Sequence, residues 1–165
     1  KPSLPLMIIY LATTIGSVSG GYISSFLVKK GWNVLSARKR TLLIIAIGEL
    51  SIILVQFASD VWVAVALLSL AVALHQAWAT NVFTLASDLF PKESVSSVVG
   101  IAGMSGAIGG ILFPMLVGYL LDSYKMADNL AGGYNVLFTL CGATYLITYF
   151  IINNLIKTPK EVGNG

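Results

Sequence analysis

Long apolar runs, broken only by short polar punctuation, dominate this chain from end to end. They are Leu4–Val28, Thr41–Ser59, Val61–Leu89, Val95–Leu121 and Gly133–Ile156. A hydrocarbon core ~30 Å thick takes about 20 helical residues to cross, and these runs are long enough. In lipid each backbone amide must be satisfied within its own segment, so each run is expected to be a helix. The predicted fold is therefore all-α: a polytopic membrane protein of five transmembrane helices.

The punctuation predicts how the helices connect. Only Ala58-Ser59-Asp60 separates the second and third runs, which makes them antiparallel neighbours. The third connection, Asp88 to Ser94, contains Pro91, which stops the helix before it, and Ser94, which is placed to cap the next. The basic stretch Lys29–Arg40 is expected as the first loop, and Asp122–Gly133 as the longest polar stretch on the opposite side. The membrane part is expected over residues 1–157, with 158–165 as a cytoplasmic tail.

Composition agrees, with 56% hydrophobic and 10% charged residues, where soluble domains carry roughly 25% charge. The net charge of +3 is a statement about topology rather than nucleic acid. Lys29, Lys30, Arg38, Lys39, Arg40, Lys92, Lys157 and Lys160 fall on one side, and Lys1 and Lys125 on the other. Basic residues collect on the cytoplasmic side. The chain is thus expected to start outside and end inside. An odd number of spans starting outside is expected of the C-terminal portion of a larger membrane protein.

Polar and small residues inside the spans carry the candidate chemistry. In the third span, His75, Trp78 and Asn81 fall within about 120° of one another on a helix, with Gln76 beside them. Such a strip is costly against lipid and is expected to face the bundle or a water-filled cavity. Gln76 and Asn81 can hydrogen-bond hydroxyls or a carboxylate, and Trp78 offers a flat face to a sugar ring. Interhelical hydrogen bonding without a ligand is the plainer alternative. Glu49, mid-way along the second span, is the one deeply placed carboxylate and a candidate intramembrane proton site. The fourth span sets Gly100, Gly103, Gly106 and Gly110 on a slowly rotating face, with Pro114 expected to bend it. Small residues let another helix approach closely, either as static packing or as a sliding face. Cys141 is expected to be a small core residue. No metal-ligand set, cofactor-binding motif or catalytic grouping is visible, so no metal, cofactor or enzyme activity is expected.

The run Gly20-Gly21-Tyr22-Ile23-Ser24-Ser25-Phe26-Leu27-Val28-Lys29-Lys30-Gly31, followed by Arg38-Lys39, resembles a signature of the major facilitator superfamily. That signature lies between the second and third helices of each half of those transporters; Gly21, Lys30, Gly31, Arg38 and Lys39 carry it here. With His75-Gln76-Ala77-Trp78 leading to Asn81, and the exit Asp88-Leu89-Phe90-Pro91-Lys92, the chain resembles the anion:cation symporter branch, and within it bacterial hexuronate transporters. The resemblance implies helices eight to twelve of twelve, most of a C-terminal six-helix lobe, with substrate bound at the midplane between two lobes. It implies as partners a small organic anion of hexuronate type, a coupling cation expected to be H+, the lipid bilayer and an N-terminal lobe of the same polypeptide; no nucleic acid is expected. Another organic anion, such as galactonate, is the alternative substrate, and a non-transporting scaffold the rival class. His75, Gln76, Trp78 and Asn81 become the implied substrate contacts. The signature usually has an acidic residue near Ser25, so this half is expected to lack that salt bridge and to rely on the other half's copy or on its basic cluster alone.

Overall fold

The computed structural model describes residues 3–156, and every span forms a helix. They are α1 (Ser3–Lys29), α2 (Val34–Glu49) continued by a 3₁₀ segment (Leu50–Phe57), α3 (Val61–Leu89), α4 (Lys92–Met126) and α5 (Leu130–Leu155). Each is long and apolar enough to cross a bilayer, counting α2 and its 3₁₀ segment together. Among the described residues there is no strand. The protein is an all-α, multi-pass membrane protein.

Short polar residues punctuate the chain at the ends of these helices. Asn33 accepts from the Leu35 amide, Asp60 from the amides of Trp62 and Val63, and Asn129 from that of Gly132. Each thereby satisfies amides that the first helical turn leaves unpaired. Gly31 turns the chain at φ +89°, a conformation that costs glycine little. Phe90, held extended before Pro91, ends α3 where the sequence predicts.

Three boundaries differ from expectation. α2 starts at Val34 rather than Thr41, so Arg38, Lys39 and Arg40 ride on its first turns and the first loop shrinks to a few residues. Their charges need not sit in a loop because neighbouring helices supply partners, as described below. Ser94 does not cap α4; Pro91 does, its ring presetting φ at −58° while its carbonyl accepts from the Ser94 and Val95 amides. At the other end α4 runs on to Met126 and α5 starts at Leu130, reducing the expected long polar stretch to a tight turn. The residues there are polar but compatible with a helix projecting beyond the apolar zone. α4 stays continuous through Pro114. The tail 158–165, with Lys160, and residues Lys1 and Lys157 lie outside the described residues.

The buried cluster joins α2, α3 and α5: Leu42, Ile45 and Ala46 meet Ala77, Trp78 and Leu85, with Tyr149 closing one side. α1 packs along α3, whereas among the described residues α4 touches only α5 and α3 and buries none of its own.

Candidate functional site

α3 is the hub of this arrangement, and its faces receive different neighbours. One face meets α1 at close range. A Cβ on Gly16 would enter the backbone of Ala73, and one on Gly20 would lie 2.6 Å from the Ala77 Cα. Two glycines four residues apart thus oppose two alanines four residues apart, letting the backbones approach as small residues in membranes do. Asn81 lies fully buried in this interface. Its amide donates to the Gly20 and Ala77 carbonyls, both at 2.9 Å, and its Oδ1 has no partner among the described residues.

A second face of α3 meets α2 and α5. Trp78 is buried in the core there, edge-on to Tyr145 of α5 at 5.3 Å between ring centres. His75 reaches the same tyrosine from the other side, its Nδ1 2.5 Å from the Tyr145 hydroxyl. His75 also borders a cavity of about 320 Å³ that has Glu49 in its wall, together with Cys141, Thr144 and Tyr145 from α5 and Phe113 from α4. The structure therefore brings together His75 and Glu49, which the sequence treats separately.

The third face of α3 carries Gln76 and Thr80, both half-buried. At 100° per residue Gln76 lies about 40° from Thr80 but about 160° from Trp78. Thr80 Oγ1 is 3.3 Å from Ser17 Oγ of α1 and donates to the Gln76 carbonyl. His75, Gln76, Trp78 and Asn81 therefore do not share one wall. Trp78 and Asn81 are occupied by the core and by α1, exposed His75 borders the Glu49 cavity, and half-buried Gln76 lies on a separate face beside a pair of hydroxyls.

The glycines of α4 behave differently from those of α1. Among the described residues nothing lies within 4 Å of where a Cβ would sit on Gly100, Gly103, Gly106, Gly109 or Gly110. Within this chain close backbone packing occurs at Gly16 and Gly20. The signal was present as a small-residue pair at a spacing of four on both α1 and α3.

The basic signature is also built inward. Arg38 Nε donates to Asp88 Oδ2 at 2.9 Å, and its Nη1 donates to the buried hydroxyl of Ser24. Lys39, equally buried, donates to the Asn153 carbonyl of α5 at 3.2 Å. Arg40 stays outside, over the Trp32 ring. Ser25 takes no part in this pairing, but a carboxylate from elsewhere in the chain reaches the basic cluster. Ser25 is exposed, but Ser24 faces Arg38 and Asp88 supplies the carboxylate from the far end of α3. The basic cluster does not stand alone.

No family model matches the chain. Curated proteins do. It is 28% identical over 154 residues to a D-galactonate transporter of Escherichia coli O6:H1 (strain CFT073), covering 93% of this chain and 34% of that protein. To a hexuronate transporter of Escherichia coli (strain K12) it is 27% identical over 155 residues, 93% of this chain and 35% of that protein. To a probable galactarate/D-glucarate transporter of Bacillus subtilis (strain 168) it is 27% identical over 145 residues, 86% of this chain and 30% of that protein. The chain spans about a third of the length of these relatives. The resemblance carried by its glycine-and-basic run and by its third span is borne out: over nearly its whole length the chain is similar to bacterial sugar-acid transporters.

Proposed function

We propose that this chain is the C-terminal lobe portion, helices eight to twelve, of a proton-coupled symporter that brings a hexuronate or similar sugar acid across a bacterial inner membrane by alternating access. One observation carries the reading. Relatives named for hexuronate, galactonate and galactarate/glucarate transport all align with nearly the same stretch, and all three names describe polyhydroxylated carboxylates.

The chemistry of the outward face of α3 supports it. A sugar acid offers hydroxyls to be bonded and a carboxylate to be paired. Gln76, Thr80 and Ser17 supply donors and acceptors to the hydroxyls from two adjacent helices. No Lys or Arg belongs to this trio, and the resemblance to related symporters assigns the partner of the substrate carboxylate and the main coupling carboxylates to the other lobe. Trp78 and Asn81 serve the site by fixing α3 against its neighbours, and His75 acts elsewhere. The basic ends of α1 and α2 face the cytoplasm, with the chain entering from outside and leaving inside. D-galactonate carriage is the second reading, because the galactonate transporter matches as well as the hexuronate transporter does.

The complete natural polypeptide in proteoliposomes, under an imposed inward proton gradient, tests this. Glucuronate, galacturonate, galactonate, glucarate and an amino acid are offered in parallel. Gradient-dependent accumulation of glucuronate or galacturonate is expected; uptake of the amino acid alone rejects the sugar-acid reading, and equal uptake without the gradient rejects proton coupling. Gln76→Ala is expected to raise the half-saturating concentration about tenfold, the loss of one hydrogen bond to a polar substrate, while leaving thermal stability in detergent unchanged.

A further inference from the structure

Glu49 is 2% exposed, and its Oε1 has no hydrogen-bond partner among the described residues. It stands at the point where the second span changes from α-helix to an eight-residue 3₁₀ segment. Runs of that length are uncommon and mark altered backbone geometry, often where a helix does more than pack. The carboxyl borders the 320 Å³ cavity between α2, α3, α4 and α5. The groups facing it there are His75 from α3 and Tyr145, Cys141 and Thr144 from α5, with Phe113 from α4. None of them is a Lys or Arg. Among the described residues Glu49 therefore has no Lys or Arg to pair with, and gaining a proton is a way to neutralise a carboxylate in such a setting.

We propose that Glu49 is a proton-exchange site within this lobe, reached through the cavity past the His75–Tyr145 pair and screened by Phe113. The exchange is simple. The carboxyl gives its proton to a water admitted to the cavity and later takes one back, and no other bond changes. His75 and the Tyr145 hydroxyl, already hydrogen-bonded to each other, offer polar groups along the entrance. Phe113 belongs to α4, which buries none of its residues among those described and so has little holding it in place. A small displacement of α4 would open the cavity. The site is separate from the sugar-acid face on Gln76, and its test needs no substrate.

Dicyclohexylcarbodiimide, a lipid-soluble reagent that attacks protonated carboxyls, provides the probe. The full natural polypeptide is labelled in proteoliposomes across a range of pH, and adducts are mapped by peptide mass spectrometry. An adduct on Glu49 is expected, its rate falling about tenfold per pH unit above the midpoint, as loss of a single proton requires. Glu49→Gln removes that adduct and no other. Phe113→Ala makes labelling of Glu49 several-fold faster. Absence of an adduct on Glu49 in both the wild type and Phe113→Ala overturns the proposal, as does a rate that does not vary with pH. An unchanged rate in Phe113→Ala with a pH-dependent adduct removes Phe113 as the screen.

Discussion

The guanidinium of Arg38 reaches in two directions, to Asp88 at the end of α3 and to Ser24 near the end of α1, so one side chain from α2 gathers three helix ends. Both partners of the ion pair are largely shielded, with 11% and 26% of their side chains exposed. Removing one partner from such a pair costs more than the pair contributes, because the other charge is left without compensation. Asp88→Ala and Arg38→Ala are each expected to lower stability, by about 2–3 kcal/mol, and the double variant by less than their sum, since the two residues act as a unit. Thermal unfolding of the four proteins in detergent measures this; strictly additive losses would show that the pair does not act as one. The pairing was not legible in the sequence. Arg38 and Asp88 are fifty positions apart, and a charge cluster at the edge of an apolar run looks like a loop until a helix carrying its counter-charge is placed beside it. Asn81 was legible as a polar residue that could not face lipid, but not as one whose amide α1 and its own helix already occupy.

Among the elements, α1 and α4 use glycine in opposite ways. The glycines of α1 are filled by α3, with backbone as the obstacle, so an added side chain cannot be absorbed by a rotamer change. Gly16→Val is expected to force α1 from α3 and destabilise the protein by about 2–4 kcal/mol, at or above the upper end of ordinary overpacking. The glycines of α4 meet nothing among the described residues. Gly106→Ala is therefore expected to leave stability unchanged or raise it by about 0.5–1 kcal/mol, the helix preference of alanine, while slowing uptake if that face slides against the other lobe. Thermal stability and uptake rate, measured on both variants, separate the two uses; a stability loss from Gly106→Ala equal to that from Gly16→Val would erase the distinction. The number and order of the five helices could be read from apolar runs alone, whereas the ends of α2 and α4 could not. The α1 contact becomes legible only when both of its partners are read together. α4 has more glycines, but the four-residue spacing on α1 has a matching Ala73 and Ala77 on α3, and complementarity rather than abundance decides which pair of backbones can touch.

At the scale of the whole molecule, the short connections leave little freedom in how the chain crosses the membrane. Successive helices are joined by a few residues at most, too few to return across a bilayer, so each helix must run opposite to the one before. Arg40, near the start of α2, and Lys125, near the end of α4, must then lie at opposite faces. The side on which Arg40 lies follows from charge: Lys29, Lys30, Arg40 and Lys92 gather at its end of the bundle, and basic loops are retained in the cytoplasm. Asp88 offsets the buried Arg38, whereas buried Lys39 meets the Asn153 carbonyl rather than a carboxylate among the described residues. With Cys141 replaced by serine, single cysteines at Arg40→Cys and Lys125→Cys report the arrangement to a membrane-impermeant maleimide. The cysteine at 125 is expected to label in intact spheroplasts, and the cysteine at 40 only in inverted vesicles. Labelling of both from one side would mean that a helix fails to cross. The outward face of α3 would then no longer lie between two aqueous compartments, and a carrier could not deliver its cargo from one to the other.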